Sequence, residues 1–397
     1  MGYPDERALV PRKIEPVSTS VTVFMGRASS GPVCFPVPVS SMDEVESAFG
    51  PVDASIPLYG SLDDFFRNGG RHAMVLRLYR GLGPEADSPE GDPGTLLLPE
   101  DYLGSHDSGG GMFPLASGPF YNLMCIPPDK YGHDIAPEVW QTAARRCYED
   151  QAILLMDAPT GWDSAQAART GVGSLGISGM PARNTALYFP QITHPDRTRQ
   201  NRLSDYPPGG SVAGVISRVD SVWGPWHAPA GMETTVKGAS GLKVTVQDRH
   251  MGILGPMGIN CLRDIPGVGI VVWGSRSMAS LENTNDPERY LNIRRTVLFI
   301  QSSLRHSLGW VAFEPVGDAL WSKVRLLTEN FLYRLFQQGA FSGRTPSESY
   351  FVRCDRSTHT EKDMEEGLVN LQIGIAMLRP GDYTICSLEL QGGQPNF

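Results

Sequence analysis

Short apolar runs alternate with amphipathic stretches along most of this chain, and that alternation constrains its fold more than any other feature. Val21, Val23 and Met25, with smaller or polar residues between them, have the period of a strand. Ser41 with Glu44 three residues on is a capping-box signature; Val45 and Phe49 fall on one face, and Gly50 ends the helix. A second short helix around 62–67 stops at Asn68-Gly69-Gly70, and 73–78 reads as a buried strand. The pattern repeats with a strand in 120–126, a helix over 137–150 and a strand over 152–156. The expected fold is therefore α/β, mixed α and β, with parallel strands in sheets flanked by helices.

The C-terminal part is the most regular. Ile293, Val297, Ile300 and Leu304 have helical spacing within 289–307, and Gly309 closes that helix. Trp310 to Phe313 is expected as a short strand. Leu320, Val324, Leu327, Phe331 and Leu335 form the apolar stripe of a second long helix that stops at Gly339. Leu371, Ile373, Ile375 and Met377 alternate with smaller or polar residues, and a last strand follows Pro380-Gly381. Pro4, Pro11 and Pro16 mark residues 1–18 as an extended arm. Residues 80–119 are rich in Gly, Pro, Asp and Ser and read as a surface excursion, and 194–210 reads as irregular. These features divide the chain into an arm (1–18), the first part of a core domain (19–79), an insertion or outer α/β region (80–210), a C-terminal core (211–380) and a terminal arm strand (381–397).

Composition narrows the function classes. Hydrophobic residues at 41% and charged residues at 19% describe an ordinary globular chain with a real core. A formal net charge of -9 argues against phosphate-backbone binding, so the expected partners are proteins and not nucleic acid. No window has the length of apolar residues that a membrane span needs, and the residues after Met1 lack the pattern of a signal peptide. Synthesis and assembly in the cytoplasm are the expectation. The six cysteines are scattered without a CxxC pair and read as reduced, buried thiols, not a zinc site.

Searches for chemistry return little. Gly171-Val172-Gly173-Ser174-Leu175-Gly176 matches GxGxxG but follows a helix-like run where the dinucleotide fingerprint needs a strand. Gly209-Gly210-Ser211-Val212 approaches a nucleophile elbow, yet Ala213 stands where glycine belongs, and Ser211 is better read as a helix N-cap. Cys354-Asp355 has no base nearby, and the histidines include no HExxH. No Walker motif is present. The sequence offers no catalytic, cofactor-binding or metal-binding residues, and neither an enzyme nor a cofactor is expected.

Several segments, taken in order, resemble the contractile tail sheath family. They begin with 19–28 (TSVTVFMGRA) and Phe65-Phe66-Arg67-Asn68-Gly69-Gly70. They are densest from 213 onward: 213–220 (AGVISRVD), 224–230 (GPWHAPA), Gly258-Ile259-Asn260, 266–276 (PGVGIVVWGSR), 290–295 (YLNIRR), 310–315 (WVAFEP) and 351–355 (FVRCD). The resemblance is strongest to phage-tail-like particles such as R-type bacteriocins and extracellular contractile injection systems.

That resemblance implies a sheath subunit that polymerises as hexameric helical rings around an inner tube and contracts to drive the tube through a target envelope. It implies homo-oligomers joined by strand exchange, with baseplate and terminator proteins as further partners. The residues so implied for the inter-subunit arms are Leu9 and Val10 at one end and Tyr383, Ile385, Leu388 and Leu390 at the other. The helix bearing Lys323, Arg325 and Arg334 is implied as the tube-facing surface. Arg276 and Arg353 are either ion-paired or plain surface charges. The alternatives are a sheath-like terminator or baseplate-proximal paralogue of the same machine, and an α/β enzyme.

Overall fold

The computed structural model describes residues 12–80, 96–104, 109–196 and 202–393. The described residues form two compact units, one within 18–295 and one combining 12–17 with 296–393.

The larger unit is built on an eight-stranded sheet: β1 (Thr22–Arg27), β2 (Pro36–Val39), β3 (Ala73–Leu78), β4 (Leu123–Cys125), β5 (Ile153–Asp157), β6 (Thr185–Phe189), β10 (Ile259–Ile265) and β11 (Gly269–Val272), in the order β11-β10-β6-β5-β4-β1-β3-β2. The six inner strands run parallel and only the outer two are antiparallel. Strands buried on both faces read as continuous apolar runs, which is why β3 is Ala-Met-Val-Leu-Arg-Leu with every residue buried. The helices of this unit are α1 (Met42–Phe49), α2 (Pro57–Arg67), α3 (Pro99–Leu103), α4 (Pro137–Glu149), α5 (Ala165–Gly171), α6 (Gly209–Trp223) and α7 (Asp248–Leu254).

Helices α2 and α6 approach closely because glycine removes the side chain at the contact. A Cβ on Gly210 would sit 2.2 Å from the Ser61 carbonyl oxygen, and one on Gly214 would sit 2.4 Å from that of Phe65. At the end of α2 the fully buried Asn68 donates to the Asp64 and Lys237 carbonyls and accepts from the Lys237 amide, at 2.8–3.2 Å.

Several expectations need correction here. Residues 80–210 are not a separate insertion: β4, β5 and β6 lie between β1 and β10 in the main sheet, and Leu97, Tyr102, Met112 and Leu115 are buried in the same core. Composition marked a surface loop, but the parallel pairing that recruits these strands is non-local and leaves no local pattern. The 194–210 stretch is not irregular either. It holds most of an antiparallel hairpin, β7 (Ile192–Asp196) with β8 (Arg202–Tyr206), joined by β9 (Gly241–Leu242).

In the smaller unit, α9 (Asp318–Gln337) packs with the C-terminal part of α8 (Leu291–Ser307), whose first turns belong to the larger unit, and Phe299 lies 6.1 Å from Phe331. A three-stranded antiparallel sheet, β12 (Tyr350–Arg353), β13 (Leu368–Ala376) and β14 (Tyr383–Gln391), completes it. Both long helices and both long strands lie where the periodicity places them. Trp310–Phe313 is not a strand: Gly309–Phe313 is a 3₁₀ turn in which Val311 is buried. Its apolar residues imitate alternation, but a span of this length suits a turn equally well.

Candidate functional site

In the smaller unit the two ends of the described chain are drawn to one place. Residues 12–17 run extended with no secondary structure of their own, and side chains supply their hydrogen-bond partners. The Glu15 amide donates to Ser307 Oγ at 3.0 Å, the Val17 amide donates to Ser303 Oγ at 3.1 Å, and Arg334 donates to the Ile14 carbonyl at 2.6 Å. Ile14 itself is buried. Arg12 lies over the Trp310 ring at 4.0 Å and donates to Glu314 Oε1 at 3.0 Å. That bond, with Lys323 Nζ 3.5 Å from Oε2, holds the Glu314 carboxyl below the usual carboxylate range. The Glu314 carbonyl accepts the Gly393 amide at 3.0 Å, and Pro315 forms a parallel bridge with Gly393. One residue, Glu314, thus holds position 12 through its side chain and position 393 through its backbone.

The sequence-derived arm residues are placed as follows. Leu9 and Val10 lie outside the described residues. Tyr383, Ile385, Leu388 and Leu390 lie on β14, which is paired with β13 of its own chain across nine residue pairs from Leu368↔Gln391 to Ala376↔Tyr383. Leu388 and Leu390 face inward and are buried, whereas Ile385 is 46% exposed. β14 is an edge strand of its sheet, so its place in the fold is compatible with further strand addition.

The three bases of α9 do not form one free patch. Lys323 reaches Glu314, Arg334 holds Ile14 and lies over the Phe331 ring, and Arg325 is half-buried within the field of Asp355. The exposed face of α9 carries Leu326 and Tyr333, 57% and 45% exposed, seven residues apart and so two helical turns along one side. Arg276 lies over the Tyr290 ring and Arg353 over the Phe351 ring.

The segments that carried the family resemblance meet as framework. Asn260 closes a two-bond clamp on the backbone of Arg276, donating to its carbonyl and accepting from its amide, both at 2.7 Å. Asn292 donates to the Trp226 carbonyl. Arg294 donates to Asn184 Oδ1 and Glu288, and Arg295 to Asp220 and the Thr19 carbonyl. Each such polar group is spent on fixing another chain segment, which is what buried polar side chains must do to be tolerated.

The motifs that resembled chemistry behave similarly. Gly171–Gly176 is the end of α5 and a 3₁₀ turn, not a strand-to-helix crossing. Ser211 is not the N-cap of α6: it sits two residues inside the helix, and the first amide, that of Gly209, is accepted by Asp157 Oδ1 at 2.8 Å. Sequence reasoning missed Asp157 because it is 52 residues from its partner. Its carboxyl lines a ≈ 220 Å³ cavity with Trp140 and Gln191, and burial raises it to about 7, partly offset by the Gly209 bond. Cys354 follows β12 fully buried, and burial pushes its thiol up to about 12, the wrong direction for a nucleophile. A larger cleft, ≈ 840 Å³, lies between α2 and the β7–β8 hairpin, where His194 Nε2 is 3.4 Å from Asp64 Oδ2. Among the described residues no group of three or more His, Cys, Asp or Glu is arranged to hold a metal ion, and no helix is long and apolar enough to cross a membrane.

Comparisons place this arrangement among known proteins. No family model matches the chain. A tail sheath protein of Vibrio phage KVP40 is 24% identical over 192 residues, 47% of this chain and 28% of that protein. The anti-feeding prophage helical sheath in its contracted state matches with a TM-score of 0.71 and 26% identity, over 98% of each chain. The sheath complex of the extracellular contractile injection system PVC, also contracted, matches with a TM-score of 0.73 and 20% identity, over 98% of this chain and 96% of that one.

Proposed function

We propose that this chain, a contractile tail sheath protein in its fold and in the segments by which it resembles that family, is the polymerising subunit of a contractile sheath. The observation that carries this reading is the end-to-end match to the contracted sheath of the anti-feeding prophage, 98% of each chain at 26% identity. The role in this reading is structural, like that of the sheath proteins the chain matches.

In this reading subunits form hexameric rings stacked helically around an inner tube, meeting a baseplate at one end and a terminator at the other. The exposed face of α9, with Leu326, Tyr333 and the flanking Lys323, Arg325 and Arg334, is the surface offered to the tube. Neighbouring copies join through strand addition at β14 and through the N-terminal residues that include Leu9 and Val10. The particle is assembled in the cytoplasm and works as part of a tail or tail-like device.

The test is electron microscopy of the purified chain, alone and with its tube protein. Long striated tubes are the expected result. Monomers under every condition would overturn the proposal, and short caps that never elongate would point to a terminator or baseplate-proximal paralogue.

A further inference from the structure

Among the described residues, the large apolar side chain most exposed is Phe313, at 88%; the next, Leu203, is at 64%. Exposed apolar residues are common and usually need no explanation. Phe313 differs because its neighbours Trp310, Val311 and Glu314 are held in place while its own ring stands in solvent. Val311, two residues before it, is buried and accepts the Glu314 amide at 3.1 Å. Trp310 is held under Arg12 at 4.0 Å. Glu314, next in the chain, is held by Arg12, Lys323 and the Gly393 amide. Ala312 and Pro315, exposed beside Phe313, extend the apolar knob.

We infer that Phe313 is an anchor of the contact between two copies of this chain, a ring held rigidly outside one subunit for a pocket on the next. The inference rests on the sheath reading and adds a named contact residue to it. A fixed backbone and a side chain with two rotatable bonds lower the entropy cost of docking, and burying such a ring adds the hydrophobic gain. Anchors of this kind dominate interface energetics.

Two observations favour a second copy as the occupant. The described chain begins at Arg12 and ends at Gly393, and both are tied to Glu314, the residue next to Phe313. A partner covering Phe313 therefore also meets Arg12 and Gly393, which belong to the two segments that the sheath reading gives to neighbouring copies. The rim also carries both signs, Arg12 and Lys323 with Glu314, which suits a surface that meets its own kind and not a uniformly charged partner.

The test compares Phe313→Ala and Phe313→Glu with wild type and with Leu203→Ala, a second exposed site, in the full chain. Circular dichroism and thermal midpoints should match wild type for all variants, since an exposed side chain contributes little to the fold. The critical concentration for tube formation should rise about tenfold in Phe313→Ala, tubes should be lost in Phe313→Glu, and Leu203→Ala should polymerise normally. Wild-type polymerisation by both Phe313 variants overturns the inference and leaves the sheath reading standing. A lowered midpoint would mean that Phe313 packs on its own chain, and loss confined to co-assembly with tube protein would mean that the tube is the occupant; either overturns it. Absence of tubes from wild type overturns the sheath reading, and this inference with it.

Discussion

Arg295 donates to both carboxylate oxygens of Asp220, at 2.9 and 2.5 Å, and also to the Thr19 carbonyl at 3.0 Å, so that one guanidinium ties α8, α6 and the entry to β1. Both side chains are at least 96% buried. Breaking such a pair from one side strands a buried charge and costs about 3–5 kcal/mol. Arg295→Met should therefore lower unfolding free energy in denaturant by that amount. Adding Asp220→Leu should recover part of the loss, because the stranded carboxylate is then gone.

Gly214→Val should destabilise the chain by about 3 kcal/mol or more, since its Cβ would meet backbone at 2.4 Å and backbone cannot rotate away. Gly173→Ala, where a Cβ meets nothing within 4 Å, is the matched control and should be close to neutral. Parallel urea melts of the two variants check this.

The pH dependence of Asp157→Asn follows from the raised carboxyl. Its folded value of about 7 lies above the ordinary aspartate value of 3.8, so the folded state holds the proton more tightly and ionisation penalises folding as pH rises through that window. Asparagine keeps an acceptor for the Gly209 amide and never ionises. Asp157→Asn should melt several degrees above wild type at pH 8 and together with it at pH 4. An identical difference at both values would mean that the carboxylate is not the cause.

Removing Asp382–Phe397 should unfold the smaller unit and not release a soluble monomer. The truncation uncovers β13 along nine residue pairs and discards Leu388 and Leu390, worth about 2 kcal/mol each on burial. Aggregation and lost near-ultraviolet circular dichroism are the expected readouts. Ile385→Lys, on the outward face, should leave the fold intact and reduce tube yield if β14 receives a neighbour's strand.

Lys323→Glu with Arg325→Glu should weaken co-assembly with tube protein while sparing tubeless polymers, as judged by the ratio of filled to empty tubes. Arg334 is a poor choice for this experiment, because it also holds the Ile14 carbonyl.

What the sequence made legible was whatever is periodic over many residues. The stripe from Leu320 to Leu335 and the alternation from Leu371 to Ile375 each set one face of one element, and both elements form as read. The short strand Leu123–Cys125 falls within the run read as a strand, but its place between β1 and β5 is fixed by partners far along the chain and has no local signal. The Arg12–Glu314 contact spans 302 residues. No spacing rule reaches that far, so the meeting of the chain ends, and with it the setting of Phe313, was invisible beforehand.

That meeting at Glu314 has a mechanical consequence. Tension at Arg12 passes to the Glu314 side chain, and tension at Gly393 passes to the Glu314 backbone. Arg12 and Gly393 are thus joined through one intermediate residue, which gives a load passed between them a short path inside the smaller unit, alongside the separate anchors of residues 14–17 and of β14.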